Sequence, residues 1–125
     1  MSRRILIRAG AMEMPAELND SPAAVALYES LPLSVPANTW GDEIYFPVPV
    51  ACHPDETAAE LVQVGDLGYW PPGRAFCIFF GPTPMSRGDE IRPASAVNVI
   101  GRVTGDACRF KTVSDGQLIE LDAAP

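Results

Sequence analysis

The sequence predicts a mainly β protein in which short strands form a closed or nearly closed β-barrel. Seven or eight short segments with alternating or continuous apolar residues are separated by turns that contain glycine or proline. Thirteen prolines and ten glycines among 125 residues interrupt long helices, which excludes an all-helical bundle. A barrel also removes the open sheet edges that promote aggregation. One helix is expected to plug an end of this barrel.

The first two segments are predicted to pair as a hairpin. Arg3–Ala9 places Ile5 and Ile7 on one face and charged residues on the other, which is typical of a half-buried strand. Met12–Leu18 alternates apolar residues with glutamates in the same way. Ala9–Gly10 lies between the two segments and is predicted to form the turn.

The next segment is predicted to be the main helix. Pro22 suits the first helical turn because its missing N–H would have no partner there. Ala23–Leu31 consists of good helix formers, and Pro32 ends them. The three-residue spacing of Val25 and Tyr28 predicts that these two side chains lie along one face of the helix.

The rest of the chain reads as extended segments and connections. The further predicted strands are Leu33–Ala37, Glu43–Val50, Leu61–Val64, Asp66–Trp70, Ala75–Phe80, Ala96–Val103 and Gln117–Asp122. Ala75–Phe80 is an uninterrupted apolar run, so we expect it to be the central strand. Thr57–Glu60 matches a weak capping box for a short helix. Gly81–Pro93 is predicted to be a long loop, and the pattern of Ala107–Val113 leaves its secondary structure open.

Composition restricts the classes of partner and the cellular location. The length predicts one domain over residues 1–125. A net charge of −7 argues against binding to nucleic acid or to an anionic membrane surface. The apolar run near the N-terminus is too short for a signal peptide, and no stretch approaches a membrane span. Three cysteines without a CxxC motif indicate reduced thiols, so we expect a cytoplasmic protein.

No cofactor or metal site is expected from the sequence. The segment Cys52–Glu56 contains metal-type ligands, but their close spacing matches no zinc signature. No glycine-rich phosphate loop, nucleophile elbow or paired-carboxylate motif is present. The sequence does not indicate an oligomeric state.

Three longer segments carry a resemblance to a known family. They are Asn38–Phe46 (NTWGDEIYF), Gly65–Pro84 (GDLGYWPPGRAFCIFFGPTP) and Pro93–Gly101 (PASAVNVIG). In this order they resemble a family of short bacterial and archaeal proteins called cyclophilin-like. The resemblance covers nearly the whole chain and implies the closed eight-stranded cyclophilin barrel with one or two short helices. It implies little about activity, because this family is largely uncharacterised.

The resemblance raises the question of peptidyl-prolyl isomerase activity. In true cyclophilins an arginine in the first half of the barrel, before the segment that resembles Ala75–Phe80, hydrogen-bonds the prolyl nitrogen. Here no arginine lies between Arg8 and Arg74. Cys77 and Met85 fall where the enzymes have pocket rings, and the pocket histidine has no counterpart. Efficient isomerase activity is therefore not expected unless a displaced arginine, such as Arg74, Arg87 or Arg92, folds inward.

The first motif supplies three candidate ligand-binding residues. Trp40 and Tyr45 could line a pocket, and Glu43 could hydrogen-bond a ligand. The alternative is that Trp40 caps the barrel end, Tyr45 packs and Glu43 is solvated.

The second motif contains a rigid aromatic loop, Tyr69–Gly73, followed by Arg74. Such loops are common at binding sites because they are ordered in advance and expose apolar surface. A barrel lid without a ligand has the same composition. Within this loop Tyr69 is the candidate ligand contact. Arg74 could bind a carboxylate or pair with Asp66 or Glu43.

Four more candidates lie in apolar surroundings. Cys77 and Phe79 belong to the predicted central strand, where a cysteine usually acts as a small hydrophobe with a raised pKa. Met85 in the long loop suits an adaptable apolar pocket. Asn98 among apolar neighbours needs partners, which would be an internal structural bond or a ligand.

Three functions remain open on the sequence alone. The favoured function is binding of a small molecule or peptide in a pocket at the barrel surface without efficient prolyl isomerisation. The second is an enzyme, either a divergent prolyl isomerase or a catalyst of small-molecule metabolism. The third is an interaction module of a larger complex.

Overall fold

The opening hairpin joins β1 (Arg3–Ala9) to β2 (Met12–Leu18) in the computed structural model, which describes residues 3–125. Gly10 adopts a φ of 62° in the turn between them, a left-handed conformation that glycine tolerates without strain. Ile5 and Ile7 are fully buried. The predicted hairpin is thus confirmed at both strands.

Helix α1 (Pro22–Ser30) follows where it was predicted. Ala23, Ala24 and Leu27 are buried, whereas Val25 and Tyr28 are only half-buried. The alanines allow the short helix to pack closely against the barrel.

The remaining elements complete a β-rich chain. They are β3 (Leu33–Pro36), β4 (Asn38–Thr39), β5 (Glu43–Pro47), β6 (Ala58–Ala59), β7 (Asp66–Trp70), β8 (Ala75–Phe79), β9 (Val97–Val103) and β10 (Leu118–Ala123). Two 3₁₀ helices, Pro71–Gly73 and Ala107–Thr112, lie between strands. None of the helices within residues 3–125 is long and apolar enough to cross a membrane.

The strands form one antiparallel sheet that nearly closes into a barrel. Its order is β3-β10-β1-β2-β9-β7-β8-β5-β4, with β6 added to β9. The two ends of this order, β3 and β4, are joined through Ala37, so the sheet meets itself along the chain. Ala37 also donates to the carbonyl oxygen of Gln117 at 2.8 Å and accepts from the Gly116 amide at 2.7 Å. The barrel is confirmed, with nine strands around its wall where eight were expected.

Two predicted segments are organised differently. No helix begins at Thr57–Glu60, because Asp55 Oδ1 accepts from both the Thr57 amide and its hydroxyl, at 2.7 and 2.5 Å. The chain then enters the two-residue strand β6. Leu61–Val64 is not a strand either, and only Val62 pairs there, in an isolated bridge to Ile91.

Strand β8 separates two apolar layers. All five of its residues are buried, and alternate side chains enter different clusters. Phe76 and Ile78 belong to the main core that fills the barrel. Cys77 and Phe79 face the opposite way, into a smaller cluster outside the barrel wall.

The outer cluster is covered by the chain that follows β8. Ile91 packs into it from the long loop, and the half-buried ring of Trp70 packs against it from the end of β7. A Cβ atom added to Gly73 would come within 2.7 Å of two Trp70 ring carbons, so glycine allows the ring to lie on the 3₁₀ turn. The Trp70 indole N–H donates to the Ser95 hydroxyl at 2.7 Å. Trp70 therefore connects the turn to the end of the covering loop.

Replacement Trp70→Ala is expected to destabilise the fold. Because the ring is half-buried, we expect a loss of roughly 2 kcal/mol, less than the ~3–5 kcal/mol typical of a fully buried aromatic residue. Urea denaturation followed by circular dichroism measures the change. Ser95→Ala removes only the hydrogen bond and should cost about 1 kcal/mol. An unchanged midpoint in Trp70→Ala would contradict this account of the ring.

Candidate functional site

The outer cluster borders a pocket of about 270 Å³ on the barrel wall. Aromatic and titratable side chains of the first two motifs meet there with residues that precede and begin β9. The lining residues are Trp40, Glu43, Tyr45, Trp70, Cys77, Pro93, Ala94 and Val97.

The β4–β5 hairpin positions one wall of the pocket. Its register pairs Asn38 with Tyr45, and the Trp40 amide donates to the Glu43 carbonyl oxygen at 2.9 Å across a two-residue loop. Trp40 and Glu43 therefore lie opposite one another on one face of the hairpin. Gly41, at a φ of 61°, makes the tight loop possible.

Alternation along β5 and β8 builds the floor. Glu43 pairs with Phe79 and Tyr45 pairs with Cys77, so all four side chains share the outer face of the sheet. Residues between them, such as Ile44, belong to the barrel interior. The strand period of two thus separates the pocket from the main core.

The opposite wall comes from β7 and β9. Outside the barrel, the small residue Gly68 leaves room for Phe79 and Val97, whose carbons would lie 3.0–3.1 Å from an added Cβ atom. Trp70 stands further along the same face of β7. Strands thus carry five of the lining residues, and Trp40, Pro93 and Ala94 lie in loops beside them.

The loop that covers the site is fixed by internal hydrogen bonds. The Ser86 hydroxyl accepts from the Thr83 amide at 2.9 Å and from the Arg92 amide at 3.1 Å. The Thr83 hydroxyl donates to the Arg92 carbonyl oxygen. Arg92 also pairs with Glu90 at 2.8 Å. These contacts fix the chain just before Pro93, at the edge of the pocket.

Glu43 is the unusual residue of the site. Its side chain is only 6% exposed, and Oε1 is buried without a hydrogen-bond partner among the described residues. Burial raises the pKa of Glu43 from its ordinary value of 4.5 to about 7, and the neighbouring Cys77 thiol opposes this in part. A buried carboxyl oxygen without a partner is costly in free energy, which marks Glu43 as a functional candidate.

Cys77 lies beside Glu43, and its surroundings disfavour the thiolate that nucleophilic chemistry requires. Burial raises the pKa of its thiol well above the ordinary value, and the charge of Glu43 raises it further. Within the described chain, its thiol contacts the Ala75 carbonyl oxygen at 3.9 Å. A thiol in these surroundings stays protonated and acts as a small apolar group.

The structure brings together five of the nine predicted site residues. Trp40, Glu43, Tyr45 and Cys77 line the pocket, and Phe79 lies on the same sheet face.

The structure places the other four predicted site residues elsewhere. The Tyr69 side chain lies in the barrel core, where its hydroxyl donates to the Val50 carbonyl oxygen at 2.6 Å. Asn98 holds the connecting loop by donating to the His53 carbonyl oxygen at 3.0 Å and accepting from the Asp55 amide at 3.1 Å.

Arg74 and Met85 are also outside the pocket lining. Arg74 is exposed at a φ of 48°, and no carboxylate within residues 3–125 lies at ion-pair distance from it. Neither Asp66 nor Glu43 is therefore its partner. Met85 is 50% exposed in the covering loop.

Four lining residues, Trp70, Pro93, Ala94 and Val97, are not among the site residues predicted from the sequence. Trp70 was noted only as part of the aromatic loop, although strand alternation places it opposite Tyr69 on β7. Pro93, Ala94 and Val97 reach the site through the long-range pairing of β9 with β7. No local pattern in the sequence indicates that contact.

Comparison with known proteins agrees with the fold. The sequence model of the family described as Cyclophilin-like matches residues 3–122. A solution structure of a hypothetical protein from Archaeoglobus fulgidus is similar, with 42% sequence identity and a TM-score of 0.83. That likeness covers 98% of this chain and 95% of the archaeal one. No curated protein matches the sequence.

Replacement Glu43→Gln should remove a pH-dependent part of the stability. Because the native pKa is about 7 against an ordinary 4.5, the native chain binds more protons than the unfolded chain between these values. The free energy of unfolding of the native sequence should therefore fall as pH rises from about 4.5 to about 7, by roughly 3 kcal/mol. Urea denaturation at several pH values measures this slope. It should flatten in Glu43→Gln and persist in Glu56→Gln, which changes an exposed glutamate.

The cysteines of the native protein should differ in their rate of alkylation. Cys108 is exposed, whereas Cys77 is 2% exposed and its thiol pKa is raised. Iodoacetamide should therefore label Cys108 first and leave Cys77 unmodified until the protein unfolds. Peptide mass spectrometry of the native and urea-treated protein tests the order. Rapid native labelling of Cys77 would show that its thiol is accessible and activated.

Proposed function

The chain belongs to the Cyclophilin-like family, and we propose that it binds a small organic ligand or a peptide side chain in the outer pocket, without efficient prolyl isomerisation. The observation that carries the proposal is the buried Glu43 carboxyl group, whose Oε1 has no hydrogen-bond partner among the described residues, at a largely apolar pocket. Binding sites typically combine apolar walls with one or two placed polar groups. A ligand that supplies the missing partner would relieve the cost of burying this carboxyl group.

The charge distribution supports binding rather than prolyl isomerisation. Among the described residues that line the pocket there is no arginine to hydrogen-bond a prolyl nitrogen. Arg74, the displaced candidate, is exposed and lies outside the lining. The raised pKa of Cys77 also argues against a thiolate nucleophile at this site.

A cytoplasmic location is part of the same proposal. The three cysteines, Cys52, Cys77 and Cys108, are free thiols. Free thiols are usual in reducing compartments.

Tryptophan fluorescence provides a direct test of the pocket. The chain contains two tryptophans, Trp40 and Trp70, and both line the pocket. A ligand found in a screen of small metabolites and short peptides should therefore change the intrinsic emission and raise the melting temperature. Ala94→Leu, at the exposed rim, should weaken that binding, whereas Ala51→Leu, on an exposed surface elsewhere, should not. If no compound changes the emission, or if Ala94→Leu and Ala51→Leu bind the ligand equally well, the pocket is not the binding site.

Prolyl isomerisation of a standard Ala-Pro tetrapeptide should be accelerated little. Loss of a transition-state hydrogen-bond donor of this kind typically reduces rates by about 10²–10³. Arg74→Ala should leave the small residual rate unchanged. A cyclophilin-like rate that disappears in Arg74→Ala would make Arg74 a relocated catalytic arginine.

A further inference from the structure

The sign of the charge in the pocket restricts its ligand. The titratable side chains that line it are Glu43, Tyr45 and Cys77, and no lysine, arginine or histidine of the described chain lines it. Of these three, the carboxyl group is the one that can become negative near neutral pH. An anionic ligand would therefore meet a like charge without a compensating cation, whereas a cationic ligand would meet an opposite one.

The aromatic side chains point to the same charge preference. Trp40, Tyr45 and Trp70 come from the β4–β5 loop, from β5 and from the end of β7, and all three border the one pocket. The faces of aromatic rings carry partial negative charge and attract cations, with tryptophan the strongest. The attraction grows when the cation is removed from water, as it would be in this largely apolar site.

The small number of polar partners restricts the type of cation. A primary ammonium group has three N–H donors and a guanidinium has five, and each must be satisfied when buried. The side chains around the pocket offer one carboxyl group with an unpartnered oxygen. A quaternary ammonium group has no N–H donor, so it needs only the opposite charge and the ring faces.

We propose that the ligand is an organic cation with a methylated ammonium head group, surrounded by Trp40, Tyr45 and Trp70 with Glu43 as its counter-ion. This inference rests on the proposed binding function and specifies the chemical class of the ligand. Burial raises the pKa of Glu43 to about 7, so the carboxyl group is partly protonated near neutral pH. Binding of the cation should release the remaining proton from Glu43, so affinity should rise with pH across neutrality.

A titration against matched neutral compounds tests the charge preference. Tetramethylammonium, choline and Nε-trimethyllysine amide are added while tryptophan emission is recorded, and 3,3-dimethyl-1-butanol serves as the neutral isostere of choline. We expect at least one of the cations to bind, and choline to bind at least about tenfold more tightly than its isostere. Stronger binding of the trimethyllysine compound than of choline would indicate a modified protein as the source of the head group. Stronger binding of choline than of the trimethyllysine compound would indicate a small free ammonium compound as the ligand.

Variants test the counter-ion. Glu43→Gln keeps the shape of the side chain and should reduce cation affinity about tenfold or more, while binding of the neutral isostere changes little. The rise of affinity with pH should also disappear in Glu43→Gln and remain in Glu56→Gln. Circular dichroism checks that each variant is folded. Equal cation binding by Glu43→Gln and the native chain would overturn the role of Glu43.

The possible failures are distinguishable. If the neutral isostere binds as well as choline, or if other compounds bind and none of the cations does, the pocket is a binding site but the cationic ligand class is overturned. If neither the cations nor any screened compound changes the tryptophan emission, both this inference and the proposed function fail.

Discussion

Burial of both faces of β8 is the constraint on which the site depends. One face, with Phe76 and Ile78, completes the core of the barrel, but the other presents Cys77 and Phe79 outward. Exposure of that apolar face to water would be unfavourable, so the chain needs a second layer outside the wall. The covering loop and the half-buried ring of Trp70 supply this layer only in part. The gap that remains beside them is the pocket.

Local patterns predicted the strands because barrel walls have a period of two that a short window can detect. They could not predict β4 and β6, since a strand of two residues is too short to show a period. They also could not predict the closure through Ala37 or the β9 wall, because both depend on pairing between distant parts of the chain. The same limit applies to the site. Trp40, Glu43 and Tyr45 were predictable because one hairpin places them together. Tyr69 was assigned to the site with its neighbours, although consecutive residues of a strand point to opposite faces.

Electrostatics explains why the fold would retain a residue as costly as Glu43. A glutamine or an apolar side chain at this position would avoid burying an ionisable group whose Oε1 has no partner. Instead, burial holds the pKa at about 7, so the group can change its charge in response to a small change in its surroundings. A fold of this kind hosts different functions through the residues on its surface. Here the described residues that line the pocket include one carboxyl group, that of Glu43, and no arginine.

Rigidity of the surrounding elements makes that single charge useful for recognition. Trp70 is fixed by its packing on Gly73 and by the hydrogen bond from its indole N–H to Ser95. The backbone of Trp40 is held by its own amide, which donates to the Glu43 carbonyl oxygen. Because the rings are already ordered, a ligand would not have to offset the loss of their conformational entropy, and more of the contact energy would contribute to affinity. The positions of the rings, rather than their number alone, would then determine which head group fits.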